Sequence, residues 1–128
     1  MSMSSDALLH DIVCHQDVHL MVDLFYDKVK IDPLLGPAFS HVDWIKHLPV
    51  MYDFWSSMLL GDRTYRGNPL QRHLDLPIDR RHFDRWLLLF EETVNDNFFG
   101  ERADEAKSRA QAIAEIFQRK MGLQRLGD

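Results

Sequence analysis

One histidine, His73, lies on a segment that is too short for an ordinary helix and is bounded on both sides by turn-forming residues. Gly-Asn-Pro at 67–69 precedes it and Pro77 follows it, and these residue types interrupt regular structure. A long amphipathic stretch that carries Trp86 comes next. Packing alone does not require a short histidine-bearing turn between two long helices, so we infer that His73 reaches into the interior and holds a ligand there.

Apolar residues recur at helical spacing through the rest of the chain, and no run alternates as a half-buried strand would. The sequence therefore predicts an all-α fold with four long helices and one short piece. The first predicted helix covers 13–30 and ends at Asp32-Pro33, and a corner at 34–39 with one turn of helix at most follows it. The next helix ends at Leu60-Gly61-Asp62. A further helix starts at the N-cap Asp79 and is closed by Gly100, and the last helix is terminated by Gly122.

The helix with the cleanest apolar period also contains a proline. Apolar residues follow one another at i, i+4, i+7, i+11 and i+14 from Trp44 to Met58, and Pro49 falls among them. Proline inside a helix removes one backbone hydrogen bond and crowds the carbonyl four residues earlier, at a cost of about 3 kcal/mol. We therefore expect the regular helix to begin near Leu48, with Pro49 in its first turn and His47 at its start.

The composition excludes several classes of protein. With 128 residues the chain forms one domain, 1–128, in which about the first ten residues are a tail or a frayed first turn. The net charge of −5 provides no basic surface for nucleic acid. No stretch approaches the roughly 18 apolar residues of a membrane span, and residues 1–11 are too polar for a signal peptide. The single Cys14 rules out an intramolecular disulfide, and we expect a cytoplasmic protein.

Two metal patterns that a helical protein could carry are weak in this sequence. His15 and His19 are four residues apart and could share a metal, but solvated histidines on a polar helix face are the commoner case. No Glu-x-x-His motif is present, which disfavours a di-iron bundle. We therefore expect neither of these sites.

Four residues on four separate elements place polar groups at the edge of an apolar face: Tyr26, His47, His73 and Trp86. Each one alone is explained as an ordinary boundary or core residue. Polar groups gathered inside an apolar helical sandwich need a shared partner. A flat, mostly apolar macrocycle with a central metal would supply it, since such a metal takes a neutral imidazole on one face and a diatomic ligand on the other. A helical interaction module without a cofactor, in which these residues only pack, remains the alternative.

Six stretches, met in order between residues 24 and 121, resemble a single protein family. They are Phe25-Tyr26-Asp27-Lys28-Val29, Leu35-Gly36-Pro37-Ala38-Phe39, Trp44-Ile45-Lys46-His47, Phe54-Trp55-Ser56-Ser57-Met58-Leu59-Leu60-Gly61, Gly67-Asn68-Pro69-Leu70 with His73-Leu74-Asp75-Leu76-Pro77, and Phe83-Asp84-Arg85-Trp86. The chain resembles the truncated haemoglobins, and most closely their third, P-type group. Pro49, directly after the third stretch, departs from the family pattern.

The resemblance implies a two-over-two helical sandwich of the truncated globin type around haem b, iron protoporphyrin IX. It implies that His73 is the proximal iron ligand, Tyr26 the distal hydrogen-bond donor, His47 the distal histidine and Trp86 the pocket tryptophan. The other haem contacts that the resemblance implies are Phe39, Met51, Phe54 and Leu70.

The implied ligands are dioxygen, nitric oxide, cyanide and other small molecules that bind haem iron, at a pentacoordinate or weakly hexacoordinate site. Two neutral donors at about 1 kcal/mol each, Tyr26 and Trp86, would slow dioxygen release roughly thirtyfold together. Strong retention favours redox or detoxification chemistry, such as nitric oxide dioxygenase-like or peroxidase-like activity, over oxygen transport. The alternative is a ligand sensor or scavenger without turnover, and a reductase partner would favour the enzyme. We expect a monomer.

His47 is predicted to act as a gate over the pocket. Because Pro49 weakens the local helix, we expect the turn that bears His47 to move more than the helix that follows. A histidine also gains charge near pH 6.5 and, once charged, favours solvent over an apolar pocket. The gate is therefore predicted to open as the pH falls.

Overall fold

The structure, a computed structural model, describes residues 9–62 and 78–122. Within these ranges the chain forms five helices and no strand, which confirms the predicted all-α fold with four long helices. They are α1 (His15–Ile31), α2 (Leu35–Ala38), α3 (Trp44–Leu60), α4 (Arg80–Asn97) and α5 (Glu101–Lys120). The short segment predicted around His73 lies outside the described residues.

The turn between α1 and α2 is organised by a buried carboxylate. Asp32, the residue before Pro33, adopts an extended conformation and ends α1 as predicted. Its side chain accepts hydrogen bonds from the backbone N–H groups of Leu34 and Leu35, at 3.0 and 2.9 Å. These bonds satisfy donors at the start of α2, which is a single turn of helix, as the sequence predicted.

Helix α3 begins earlier than predicted. It starts at Trp44 and runs through Pro49, and the Asp43 carbonyl accepts a hydrogen bond from the His47 N–H at 2.9 Å. The prediction that the helix begins near Leu48 was therefore wrong. Pro49 has no N–H to donate to the carbonyl of Ile45, four residues earlier. Both residues are exposed, so water can hydrogen-bond to that carbonyl instead.

The junction between α4 and α5 also differs from the prediction. Helix α4 ends at Asn97, and Gly100 is the N-cap of α5, so the prediction that Gly100 closes α4 was wrong. Gly100 has φ +148°, and a Cβ placed there would lie 2.5 Å from Cγ of Asp11. That carboxylate accepts hydrogen bonds from the N–H groups of Arg102 and Ala103, at 3.0 and 2.8 Å. Glycine is thus required because the N-terminal segment caps α5 at close range.

The helices pack as two pairs, α1 with α3 and α4 with α5, and α1 also packs on α4. This is the two-over-two arrangement that the resemblance to the truncated haemoglobins implied. Alanines on one face of α5 let α4 approach closely, and they are buried: Ala103, Ala106, Ala110 and Ala114. In α1 the buried face is centred on Phe25 and Val29, whereas Leu20, which the apolar pattern included, is 46% exposed. Helix α1 is covered from two sides, which explains its broad apolar face.

Candidate functional site

A cavity lies between the two helix pairs and encloses about 670 Å³ of space free of protein atoms, its open mouth included. Apolar and aromatic side chains contributed by every helix form most of its wall. The lining residues are Tyr26, Leu35, Phe39, Met51, Phe54, Trp55, Ile78, His82, Phe83, Trp86, Ile113, Ala114 and Phe117.

Tyr26 brings a buried hydroxyl-bearing side chain to the cavity. The residue is only 6% exposed, and burial raises the pKa of its phenol well above the usual value, so the group keeps its proton. Its ring is held by Phe25 and Trp44, with centroids at 4.8 and 5.1 Å. Within residues 9–62 and 78–122, no hydrogen bond is recorded for the Tyr26 hydroxyl. The site therefore contains a fixed donor that is available to a ligand.

Trp86, on α4, is the second lining residue that the sequence singled out. It is half-buried, its indole stacks on Phe90 with centroids at 5.8 Å and an interplanar angle of 12°, and its edge meets Phe25 at 5.6 Å. These contacts fix the plane of the indole ring. In the part of the chain that the structure describes, the indole N–H has no recorded hydrogen bond, so it too is available as a donor.

His47 is half-buried but is not among the residues that line the cavity. Its ring lies edge-on to that of Tyr26, with centroids at 5.8 Å, and edge-on to that of Trp44 at 5.5 Å. The ammonium group of Lys30 lies 4.9 Å from the centroid of Trp44. His47 therefore contacts Tyr26, which does line the cavity.

The other predicted contacts divide into two sets. Phe39, Met51 and Phe54 line the cavity. His73 and Leu70 lie outside the described residues, so the predicted iron ligand and its neighbour stay predictions.

The two exposed histidines of α1 have partners that are not metals. The Nε2 atom of His15 lies 2.5 Å from a carboxylate oxygen of Asp62, and His19 stacks on Tyr52 with centroids at 3.9 Å. Among the described residues no group of three or more His, Cys, Asp or Glu side chains could hold a metal ion.

Sequence reasoning missed more than half of the residues in the cavity wall, eight of 13. Trp55 was placed on the apolar stripe of its helix but not in the site, although it lines the cavity and stacks on Phe90 at 4.8 Å. Helical periodicity could not have distinguished a cavity-lining position from a core position, because residues that face a cavity and residues that face a solid core have the same spacing. His82 was missed altogether, and its one signal was its position three residues after the predicted N-cap, Asp79.

A partly buried ion pair connects the helix that carries Trp86 to the α1–α2 turn. The Nε atom of Arg85 donates to Oδ1 of Asp32 at 2.7 Å, and the Asp32 side chain is only 3% exposed. Burial raises the pKa of Asp32, but hydrogen bonds from the Leu35 N–H, from Arg85 and from the Leu34 N–H outweigh it and hold the pKa below its ordinary value. The charged carboxylate therefore joins the α1–α2 turn to α4.

The wall and its donors fit a flat, largely apolar group. Most of the lining atoms are carbon, so they would cover a macrocycle at no polar cost, and the Tyr26 and Trp86 donors point to a polar ligand at its centre. The fold and the cavity together define a small all-helical protein with a largely apolar cavity between two helix pairs that could hold such a group.

Comparison with known proteins identifies the family. Residues 8–121 match the model of the bacterial-like globin family. A group 3 truncated haemoglobin from Campylobacter jejuni is 36% identical over 115 residues, covering 84% of this chain and 91% of that protein. The chain therefore belongs to the bacterial-like globins, among the truncated haemoglobins of the third group, and haem binding is what this family implies.

Solved structures give the same result for the fold. The crystal structure of a group III truncated haemoglobin from Campylobacter jejuni superposes with a TM-score of 0.82 at 35% identity, covering 94% of this chain and 98% of that one. A truncated oxygen-avid haemoglobin from Bacillus subtilis superposes with a TM-score of 0.73 at 26% identity, covering 82% and 93%. In the ranges that the structure describes, no helix is both long and apolar enough to cross a lipid bilayer.

Proposed function

We propose that this protein binds haem b in the cavity, with His73 as the proximal ligand, and retains dioxygen and related ligands for redox chemistry rather than for transport. The observation that carries the proposal is Tyr26, a buried residue of the cavity wall whose phenol keeps its proton and makes no hydrogen bond to the residues that the structure describes. When bound, haem supplies an iron that takes a histidine on one face and a diatomic ligand on the other.

The residues of the chain give this site its selectivity for ligands. Tyr26 and Trp86 line one cavity and are fixed by ring contacts, so both can donate to a ligand that carries partial negative charge without losing much side-chain entropy. Phe39, Met51 and Phe54 exclude water from the same space. One solved relative is named as oxygen-avid, and this supports a similar retention here.

Retention is tested by removing the donors one at a time. Tyr26→Phe and Trp86→Phe are each expected to raise the dioxygen dissociation rate about fivefold, which is what a hydrogen bond of about 1 kcal/mol contributes. Because both donors act on one ligand, the double variant should not show the product of the two single effects. Stopped-flow release from the ferrous protein measures each rate.

A matched control for this experiment is Tyr52→Phe. Tyr52 lies on α3 outside the cavity wall and donates its hydroxyl to Asp23, so its removal should leave dioxygen release unchanged. Release rates equal to wild type in both cavity variants would contradict the retention mechanism.

His47 is expected to control ligand entry through side-chain rotation. Its backbone belongs to helix α3, which runs through Pro49, so the gate that we propose moves by its side chain. Its ring packs against Tyr26 and Trp44, and a protonated ring should leave these aromatic neighbours for solvent. The ligand association rate should rise from pH 8 to pH 5 in wild type but not in His47→Leu.

The control for the pH effect is His19→Leu, which removes an exposed histidine of α1 outside the cavity wall. This variant should keep the full acid-dependent rise. A flat profile in wild type would exclude the gate.

The proposed ligands are dioxygen, nitric oxide and cyanide, and the proposed working form is a monomer in the cytoplasm. Turnover on nitric oxide or peroxide needs a reductase that returns ferric iron to the ferrous state. Faster reduction of the ferric protein in a cell extract than in buffer would support turnover as an enzyme. Equal reduction rates would favour a sensor or scavenger.

A further inference from the structure

His82 is a histidine on the cavity wall to which no role has been given. It lies in the first turn of α4, and its side chain is 12% exposed. It lines the same cavity as Tyr26 and Trp86. Its Nδ1 atom accepts a hydrogen bond from the Asp79 backbone N–H at 3.0 Å, which completes the cap of the helix.

The cap favours one tautomer of His82. When Nδ1 accepts the backbone N–H, the proton of the neutral ring must lie on Nε2. Oδ1 of Asp79 lies 3.3 Å from the same Nδ1, farther than the backbone nitrogen at 3.0 Å, and a neutral ring that donated to it would leave that N–H without its acceptor. If the ring is protonated on both nitrogens, Nε2 is still a donor. In these two states an N–H is present on the edge of the ring opposite the cap.

His82 differs from the other donors on the wall in charge. Among the described lining residues it is the only one that can carry a positive charge. Tyr26, Trp55 and Trp86 are neutral donors, and the first two are almost fully buried. Among the described lining residues, His82 is therefore the one that can form a charge-assisted hydrogen bond with a negatively charged group in the cavity.

Haem b is apolar apart from its iron and two carboxylates on one edge. A carboxylate beside an apolar wall is costly unless a donor pairs with it. We propose that Nε2 of His82 donates a hydrogen bond to one of these carboxylates and so orients the macrocycle in the cavity. The inference rests on the proposed haem binding and adds a positioning residue to it.

Two substitutions separate this role from the role of His82 in the helix cap. His82→Gln keeps a side-chain acceptor for the Asp79 N–H and also keeps a donor. His82→Glu keeps the acceptor, since Glu is a preferred capping-box residue, but replaces the donor by a second negative charge. Gln111→Glu, on the exposed face of α5, makes the same change in net charge away from the cavity wall.

The experiment loads each full-length protein with haem b or with its dimethyl ester, in which both carboxylates are blocked. The measured quantity is the rate at which the porphyrin passes to an excess of a haem-free scavenger globin. With haem b, His82→Glu should lose its porphyrin roughly tenfold faster than wild type, while His82→Gln and Gln111→Glu stay within about threefold. With the dimethyl ester, all four proteins should lose it at similar rates.

Equal rates for wild type and His82→Glu with haem b would overturn the inference. So would a difference that persists undiminished with the dimethyl ester, because the carboxylate would then have no part in it. If His82→Glu does not fold, His82→Gln is compared with Gln111→Glu instead. Because His82→Gln keeps a donor, a loss of haem b that is tenfold or more faster than from Gln111→Glu also contradicts the inference. Failure of wild type to take up either porphyrin would instead refute the proposed haem binding itself.

Discussion

Replacing His73 by glycine is expected to lower the haem content of the purified protein roughly tenfold or more, and added imidazole should restore it. In the proposed site His73 would supply a protein bond to the iron. Loss of residues that only hydrogen-bond to such a ligand already costs about 10–100-fold in metal affinity or activity. The glycine leaves space in which free imidazole can take the place of the side chain. Haem content is measured as the ratio of porphyrin to protein absorbance.

The control for this variant is His10→Gly. His10 is exposed and lies outside the helices, so its loss should leave the haem content unchanged. We further predict that the second ring nitrogen of His73 donates to the carbonyl of Pro69 or Leu70, one helical turn earlier. Normal haem content and normal spectra in His73→Gly would refute the assignment of the iron ligand.

The second large effect concerns stability. Asp32→Ala is expected to lower the free energy of unfolding by about 2–3 kcal/mol, less than the 3–5 kcal/mol for a fully buried pair, because the Arg85 side chain is 41% exposed. The variant loses the bond to Arg85 and two bonds to backbone N–H groups of the α1–α2 turn. Asp32→Asn keeps an acceptor but loses the charge, so its free energy of unfolding should lie between those of wild type and Asp32→Ala.

Urea unfolding at equal protein and haem concentration measures this effect, because bound haem itself raises the apparent stability. Asp53→Ala removes an exposed carboxylate of α3 and should change the free energy by less than about 0.5 kcal/mol. An Asp32→Ala variant as stable as Asp53→Ala would show that the buried pair contributes nothing.

The same pair predicts the response to acid. The folded-state pKa of Asp32 lies below its ordinary value, so its contribution is fully present above about pH 4 and is lost as the pH falls through the lower folded value. The stability difference between wild type and Asp32→Ala should therefore be constant above about pH 5 and shrink below pH 4. A difference that grows on acidification would contradict the sign of the shift.

The sequence was sufficient for the fold, because the signals for helices are local. The Asp32-Pro33 stop and the Asp79 cap are read from neighbouring residues, and both occur as predicted. The two wrong boundaries depend on distant or solvent-side contacts. Pro49 is tolerated because it lies on the exposed side of α3, and Gly100 starts α5 because Asp11, remote in sequence, approaches it.

The site could be predicted only in part. Tyr26 and Trp86 carry polar groups on apolar faces, which is a visible anomaly, and the family resemblance named them. Phe83 carries no polar group, and Trp55, which has the same indole as Trp86, was assigned only to the apolar stripe of its helix. Periodicity could not correct this, since a wall of a cavity and a wall of a core have the same spacing. The place of His82 on the wall depends on how α4 is oriented against α5, and that orientation is a property of the tertiary packing alone.

The most direct test of haem binding is the absorption spectrum of the purified full-length protein. An intense Soret band at a stoichiometry of one haem b per chain, lost in His73→Gly and recovered with imidazole, is the result that we predict. Absence of a Soret band from wild type, even after haem b is supplied, would contradict the account and would leave a helical module in which Tyr26, His47 and Trp86 only pack.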